Sequence, residues 1–297
     1  MTTALWQAIE ADVAAHSARP FTITERRQVG GGCINTAFRI GGGAGDLFVK
    51  LNDAGGLDMF EAEAAGLAEM AAADAVRVPR PVCTGSAAGQ AYLVMEYLPL
   101  GGAASAAAMA ALGEGLAGLH RRTAGQFGWS RDNTIGSTPQ INAWCDEWVA
   151  FWRRQRLGYQ LRLAADRGHG GGLQRVGERL MARLDALFAD YRPLPSLLHG
   201  DLWSGNFGVT DGGEPVIFDP AVYYGDREAD VAMTELFGRF PQSFYRAYDE
   251  AWPLDPGYPL RRDLYNAYHM LNHLNLFGGG YGRQAEQMMA GVVAQLG

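Results

Sequence analysis

The pattern of apolar and polar positions divides the chain near residue 100. Residues 4–16 read as a short helix, and "FTITERRQV" (21–29) alternates as a half-buried strand does. "AFRI" and "LFVKL" are short apolar runs across the turn "GGGAGD", which predicts a hairpin. A helix follows over 58–73, then two extended runs, "VPRPVCTG" and "AYLVMEYL". The second is almost wholly apolar and so belongs inside a sheet. "PLGGAAS" interrupts with Pro and Gly near 98–103, a linker by composition. Beyond it the period becomes helical. "AAAMAALGEGLAGLH" is one helix. Residues 140–165 predict a long one carrying Trp144, Trp148, Phe151, Trp152 and Tyr159 at three- and four-residue spacings. Further helices are expected at 172–190, 228–239, 242–251, 259–277 and 281–296, with only "SLLHGDL" and "EPVIFDP" extended. The expectation is an α+β, bilobal chain: a small β-rich N-terminal lobe, residues 1–98, and a larger, mainly helical C-terminal lobe, residues 99–297.

Composition narrows the function. Hydrophobic content of 48% and charged content of 19% are those of an ordinary globular protein. A net charge of -7 argues against nucleic acid as a partner, which needs a basic field. No segment is apolar enough to span a membrane, and "MTTALWQAIEADVAAHSARP" lacks the pattern of a secretory signal. Three well-separated cysteines, Cys33, Cys83 and Cys145, fit reduced thiols in a cytoplasm rather than disulfides or zinc. Of 25 basic residues, 24 are arginine; Lys50 is the single lysine, in the apolar run "LFVKL". A lone ammonium inside a strand has to be paired or put to use.

Chemistry concentrates in "LLHGDLWSGNFGVTDGGEPVIFDP", where Asn206 follows Asp201 by five residues and Asp219 ends the run "PVIF". That gap is the one in the kinase catalytic loop HRDxxxxN, in which Asp accepts the proton of the attacking hydroxyl and Asn holds Mg2+. Asp219 sits where the metal-binding Asp of the kinase DFG motif would be. His199 reads as structural. In the first lobe, a glycine-rich break (Gly30, Gly31, Gly32, Cys33, Ile34, Asn35) before a lysine-bearing strand is an arrangement that covers and pairs the phosphates of ATP. Lysine is a compact point charge where arginine is a wide planar fork, which explains why this one lysine persists. Its carboxylate partner is expected on the 58–73 helix. Glu63 falls within the apolar face set by Phe60, Ala64, Leu67 and Ala71, while Glu61 and Glu69 point away from it. Glu96, Tyr97 and Leu98, just before the linker, are candidates for the adenine-binding hinge.

With these residues assembled, the chain resembles the fructosamine-3-kinase (ketosamine-3-kinase) family of the protein-kinase-like fold. "HGDLWSGN", "DPAVYYGDREADVAMTELFG", "FYRAYDEAWPL", "YHMLNHLNLFGGGY", "GGGCIN" and "MFEAEAAGL" carry the likeness over nearly the whole chain. The resemblance implies ATP-dependent phosphorylation of a ketoamine, free or on a glycated protein lysine, at the 3-hydroxyl of its sugar. The phosphorylated adduct then falls apart and frees the amine, a repair reaction. It implies Asp201 as base, Asn206 and Asp219 as Mg2+ ligands, and Lys50 with Glu63 as phosphate clamp. Residues 96–98 would hold adenine, Asp230 would brace the catalytic loop, and Trp203, Tyr223, Arg227 and His273 are substrate candidates. The glycine loop departs from GxGxxG, and "DPA" replaces DFG, so no phenylalanine-based switch is implied.

Other features carry less. His269 and His273 stand four apart, as a metal face would, but lack the Glu of HExxH and a third ligand. The aromatic stripe 144–159 is core, or in part a sugar-lining wall. Cys33, beside phosphate-binding amides, is a candidate for reversible inhibition by oxidation. An aminoglycoside- or choline-type kinase of the same fold, or a nucleotide-binding module without catalysis, are the alternative readings. Monomer and homodimer are both open.

Overall fold

The computed structural model describes residues 2–30, 35–43 and 45–297. Strands β1 (Ile23–Val29), β2 (Thr36–Gly42), β3 (Gly45–Asp53), β4 (Pro81–Ala87) and β5 (Gln90–Glu96) form one antiparallel sheet in the order β1-β2-β3-β5-β4. Strand side chains alternate between faces, and the two faces are buried separately. Val49, Leu51, Tyr92 and Val94 pack with Leu5, Trp6, Ile9 and Val13 of helix α1 (Thr3–Ser17). On the other face Ala91, Leu93 and Met95 join Phe60, Leu67 and Met70 of helix α2 (Leu57–Ala73) and the large core of the second lobe. Lys50, between Val49 and Leu51, points to this second face. β5, covered on both sides, is buried from Ala91 to Met95, as its unbroken apolar run predicts.

The linker crosses at Gly102, whose N–H donates to the Val209 carbonyl at 3.0 Å. A Cβ there would lie 2.0 Å from the Thr210 oxygen, so only glycine fits. Helix α3 (Ala106–His120) then starts on Ser105, whose hydroxyl accepts from the Ala108 N–H. Short strands follow in pairs: β6 (Asn133–Ile135) with β7 (Thr138–Gln140), β8 (Ser196–Leu198) with β11 (Tyr223–Gly225), and β9 (Phe207–Val209) with β10 (Pro215–Ile217). The remaining helices are α4 (Trp148–Phe151), α5 (Gly158–Asp166), α6 (Gly172–Met181), α7 (Glu228–Leu236), α8 (Gln242–Ala251), α9 (Tyr258–Phe277) and α10 (Tyr281–Gln295).

The long helix expected from residue 140 begins only at Trp148. Upstream, Phe127 and Cys145 exchange two backbone hydrogen bonds, and the Asn142 N–H donates to Asp132 Oδ1. The backbone of 142–145 is thereby drawn into bridges and cannot form helical ones. From α4 the helix runs into α5 through a π-helical segment, Trp152–Leu157, a distortion that concentrates at functional sites. Trp148, Phe151 and Trp152 are sealed in the core, so that part of the stripe is core; Tyr159 is half-buried and Trp144 exposed. The helix expected over 172–190 breaks after Met181 and continues as a 3-10 turn, Leu184–Phe188. No helix among the described residues is long and apolar enough to cross a membrane.

Candidate active site

Strand β8 delivers its chain directly into the loop 199–206, and the β9–β10 hairpin returns it to Asp219, so Asp201, Asn206 and Asp219 meet at one end of two short strand pairs. The loop is held from beneath by Asp230, on the first turn of α7. Its Oδ2 accepts the His199 N–H at 2.7 Å, and its Oδ1 accepts the Gly200 N–H at 2.8 Å. His120 Nε2 reaches the same carboxylate at 3.1 Å, and Tyr248 Oη lies 2.8 Å from His120 Nδ1. Burial would raise the Asp230 pKa; the hydrogen bond and charge of His120 and the loop amide reverse this and hold it below the carboxylate range. His199 is structural, as its motif position suggests. It receives the Asp201 N–H on Nδ1, so the bond from Nε2 to the Phe218 carbonyl must carry the proton, and burial keeps the ring neutral.

Asp201 is the perturbed acid of the group. Burial and then the charge of Asp219 push its pKa up to about 7, against the hydrogen bond from Asn206 that lowers it. A carboxyl in that range exchanges its proton near neutral pH. Asn206 uses Nδ2 on Asp201, donating to its carbonyl at 2.8 Å and to Oδ2 at 3.3 Å. Its amide oxygen is thereby turned from Asp201 and left as an acceptor for a cation. Asp219 takes φ 58°, a left-handed conformation that Asp tolerates better than most residues and that re-aims its carboxylate.

Lys50 Nζ donates to Glu63 Oε1 at 2.5 Å and also to Asp219 Oδ1, joining sheet, α2 and second lobe in one cluster. Burial alone would strip its proton. The charges of Asp219 and Glu63 more than reverse this and lift its pKa above the ordinary value. Glu63 itself titrates above its usual range, because burial outweighs the attraction of Lys50. Asn35 accepts from Asn52 Nδ2 at 2.7 Å. Gly30 has open space around it; Gly31, Gly32 and Cys33 lie outside the described residues.

At the hinge, the Glu96 carboxylate is spent on Arg77 and on the Arg80 N–H, and its own N–H donates to the Arg80 carbonyl at 2.8 Å. These bonds engage the Glu96 carboxylate and N–H; the Tyr97 ring lies 5.0 Å beneath the Arg39 guanidinium.

The four substrate candidates separate. Trp203 is 36% exposed and meets Phe237 edge-on at 6.1 Å, and Phe237 packs on His273 at 4.6 Å, forming one aromatic wall that starts two residues after Asp201 in the chain. The His273 Nδ1–H donates to the His269 carbonyl one turn back. His269 is buried and, for that reason first, held neutral with a pKa of about 3. Among the described residues no set of three or more His, Cys, Asp or Glu completes a metal face there. Tyr223 and Arg227 stand apart from the wall. Tyr223 is buried beneath the Arg156 guanidinium at 4.1 Å. Arg227 is buried and gives its donors to Tyr248 Oη and to the carbonyls of Trp252 and Pro253. Neither Phe237 nor Glu69 was legible as part of the site. "ELFG" gives no sign that Phe237 bridges Trp203 to His273, and Glu69 lies off the apolar face of α2 yet binds the second lobe.

A β-lobe bearing a lysine–glutamate pair, joined by one crossing to a helical lobe with a braced Asp-Asn-Asp loop, is the architecture of a protein-kinase-like phosphotransferase. The fructosamine kinase family model matches residues 5–295, and the chain belongs to that family. It is 50% identical over 285 residues to a candidate ketoamine kinase from Synechocystis sp., covering 96% of this chain and 95% of the relative. It is 47% identical to the chloroplastic protein-ribulosamine 3-kinase of Arabidopsis thaliana, covering 87% and 79% of the two chains. The crystal structure of a candidate fructosamine-3-kinase from Haemophilus somnus superimposes with a TM-score of 0.88 at 28% identity, over 97% of this chain and 98% of that one.

Proposed function

We propose that the protein transfers the γ-phosphoryl group of ATP to the 3-hydroxyl of a ketoamine, the adduct of a sugar with a free amine or a protein lysine. In this reading Asp201 accepts the proton as the hydroxyl oxygen bonds to phosphorus and the bond to the β-phosphate oxygen breaks, releasing ADP. Lys50, held by Glu63, pairs the α- and β-phosphates. Asn206 and Asp219 offer an amide oxygen and a half-exposed carboxylate, hard oxygen donors that fit Mg2+ once phosphate oxygens complete its shell. Bound there, the ion would neutralise charge on the transferring phosphate. The sugar would lie against Trp203, with His273 in reach. The phosphorylated adduct is unstable and releases its amine, which makes the reaction a deglycation step, and we place it in a cytoplasm.

The observation that carries this reading is the braced loop that brings Asp201, Asn206 and Asp219 together, with Asp219 closed on the Lys50–Glu63 pair of the first lobe. Family membership and the ketoamine names of the relatives support the choice of acceptor. The test is ADP release with Mg-ATP and lysine adducts of ribulose, erythrulose and fructose, with choline and an aminoglycoside alongside and Asp201→Ala as blank. Turnover of a ketoamine that the variant abolishes is the expected result. Turnover of choline or the aminoglycoside alone would keep the chemistry and overturn the acceptor. Nucleotide binding without any turnover would leave a non-catalytic module.

A further inference from the structure

Glu63 and Glu69 lie six residues apart on α2, which sets them about 120° apart around the axis and roughly 9 Å apart along it. Glu63 faces Lys50. Glu69 faces the second lobe and uses both oxygens there: Oε2 accepts the Trp129 Nε1–H at 2.6 Å, and Oε1 accepts the Tyr224 Oη–H at 2.7 Å. Both donors are buried, Trp129 at 3% and Tyr224 at 7% exposure. One turn before Glu69, on the same face, Gly66 lies so near the second lobe that a Cβ would stand 2.9 Å from Val222 Cγ2. The segment 219–224 therefore touches α2 twice, Val222 at Gly66 and Tyr224 at Glu69, and is linked to it a third time where Lys50 bridges Asp219 and Glu63.

We propose that Glu69 is a positioning residue for phosphoryl transfer. It fixes the roll and axial position of α2 against the segment that carries Asp219, and so keeps Lys50, Glu63 and Asp219 assembled. Two buried donors, set on elements 60 and 155 residues away in sequence, close on one carboxylate, so a rotation of α2 that withdrew Glu63 from Lys50 would break both bonds together. Buried N–H and O–H groups left without acceptors oppose such a movement. The lysine–glutamate pair is thus a standing part of this fold, with no outward state of the helix to be recruited.

The inference rests on Lys50 and Glu63 acting on the nucleotide, and its test is chosen to separate the two. Glu69→Gln keeps shape and removes charge. The expected result is a fall of about tenfold in kcat/KM for ATP, with the acceptor KM within about twofold of wild type. Added to Glu63→Gln, Glu69→Gln lowers kcat/KM little further, because both act through one cluster. Tyr224→Phe removes one donor, disturbs the fold least, and falls between wild type and Glu69→Gln. Wild-type kcat/KM in Glu69→Gln, or losses that multiply in the double variant, would make Glu69 a fold anchor only and overturn the proposal. If Glu63→Gln and Lys50→Met leave kcat/KM for ATP untouched, the underlying reading of the nucleotide site fails instead, and the positioning role goes with it.

Discussion

Replacing Lys50 separates charge from shape. In Lys50→Met, Asp219 is half exposed and recovers water, whereas Glu63, with a side chain 11% exposed, is left buried without its cation. Removing one partner of a buried ion pair costs about 3–5 kcal/mol. Glu63 escapes part of that cost by taking up a proton, at about 1.4 kcal/mol per pKa unit, so about 3 kcal/mol is expected at pH 7.5 and less at pH 5.5. Lys50 has a folded pKa above its unfolded value, so its contribution is complete below pH 10 and lost only in stronger alkali. Over 297 residues an unfolding entropy of roughly 0.6 kcal/mol/K turns 3 kcal/mol into a Tm fall of about 5 °C at pH 7.5. Lys50→Arg keeps the charge but forces a planar fork into a buried slot holding a point charge, and a loss of about 1–3 kcal/mol that does not change between the two pH values is expected. Both variants should lose about 100-fold or more in kcat, the size of a lost electrostatic clamp on the transition state. The assays are calorimetry at the two pH values and ADP release. Lys50→Arg with near wild-type kcat would refute the argument from shape, and Lys50→Met melting like wild type at pH 7.5 would refute the argument from charge.

Asp201 predicts the opposite sign for stability. Its folded pKa near 7 lies above the unfolded value, so the folded state holds its proton more tightly, and the group destabilises progressively as pH climbs from about 4 to 7. Asp201→Asn should therefore abolish turnover yet melt higher than wild type at pH 8 and alike at pH 4; an equal melting difference at both pH values would sink the assignment. Asp230→Ala removes the acceptor of two loop amides and of His120, and urea unfolding should show a loss of about 3–5 kcal/mol, with Asp230→Asn losing less. A loss below about 1 kcal/mol would mean that the loop does not depend on this brace.

How far the sequence could be read depended on the range of the interaction. Lys50 and Glu63 could be paired beforehand because strand and helix periods are local, and each put its charge on a buried face. The Asp201, Asn206 and Asp219 spacing was legible because one short stretch holds all three. The φ of Asp219 was not, since only the packing of both lobes sets it. Strands β6, β7, β9 and β11 have three residues each, too few for a period to register. The bridge at Phe127 and Cys145 that stops the 140–147 helix joins residues with no shared pattern. Tyr223 and Arg227 sit in a motif-rich stretch, and only tertiary packing shows that both are buried, Tyr223 beneath Arg156 and Arg227 over Trp252.

The same logic accounts for a single lysine among 24 arginines. Where this fold buries cations elsewhere it asks for a plane. Arg156 lies over Tyr223 at 4.1 Å, Arg227 over Trp252 at 4.2 Å, and Arg261 over Tyr191 at 3.9 Å while forking onto Glu228. Each uses ring stacking or several directed donors that an ammonium cannot supply. Lys50 has no ring against it among the described residues; it stands between two carboxylates from different lobes, one of them also in reach of the proposed metal. A guanidinium there would need room for a fork and would hold Asp219 by two donors in a fixed plane; under the proposed function an ammonium would be able to release Asp219 to the metal and turn to phosphate oxygens while keeping Glu63. In the proposed reaction Lys50 is the buried cation that would have to change partners, and three freely turning donors on a flexible stem suit that exchange where the planar forks of Arg156, Arg227 and Arg261 suit fixed partners.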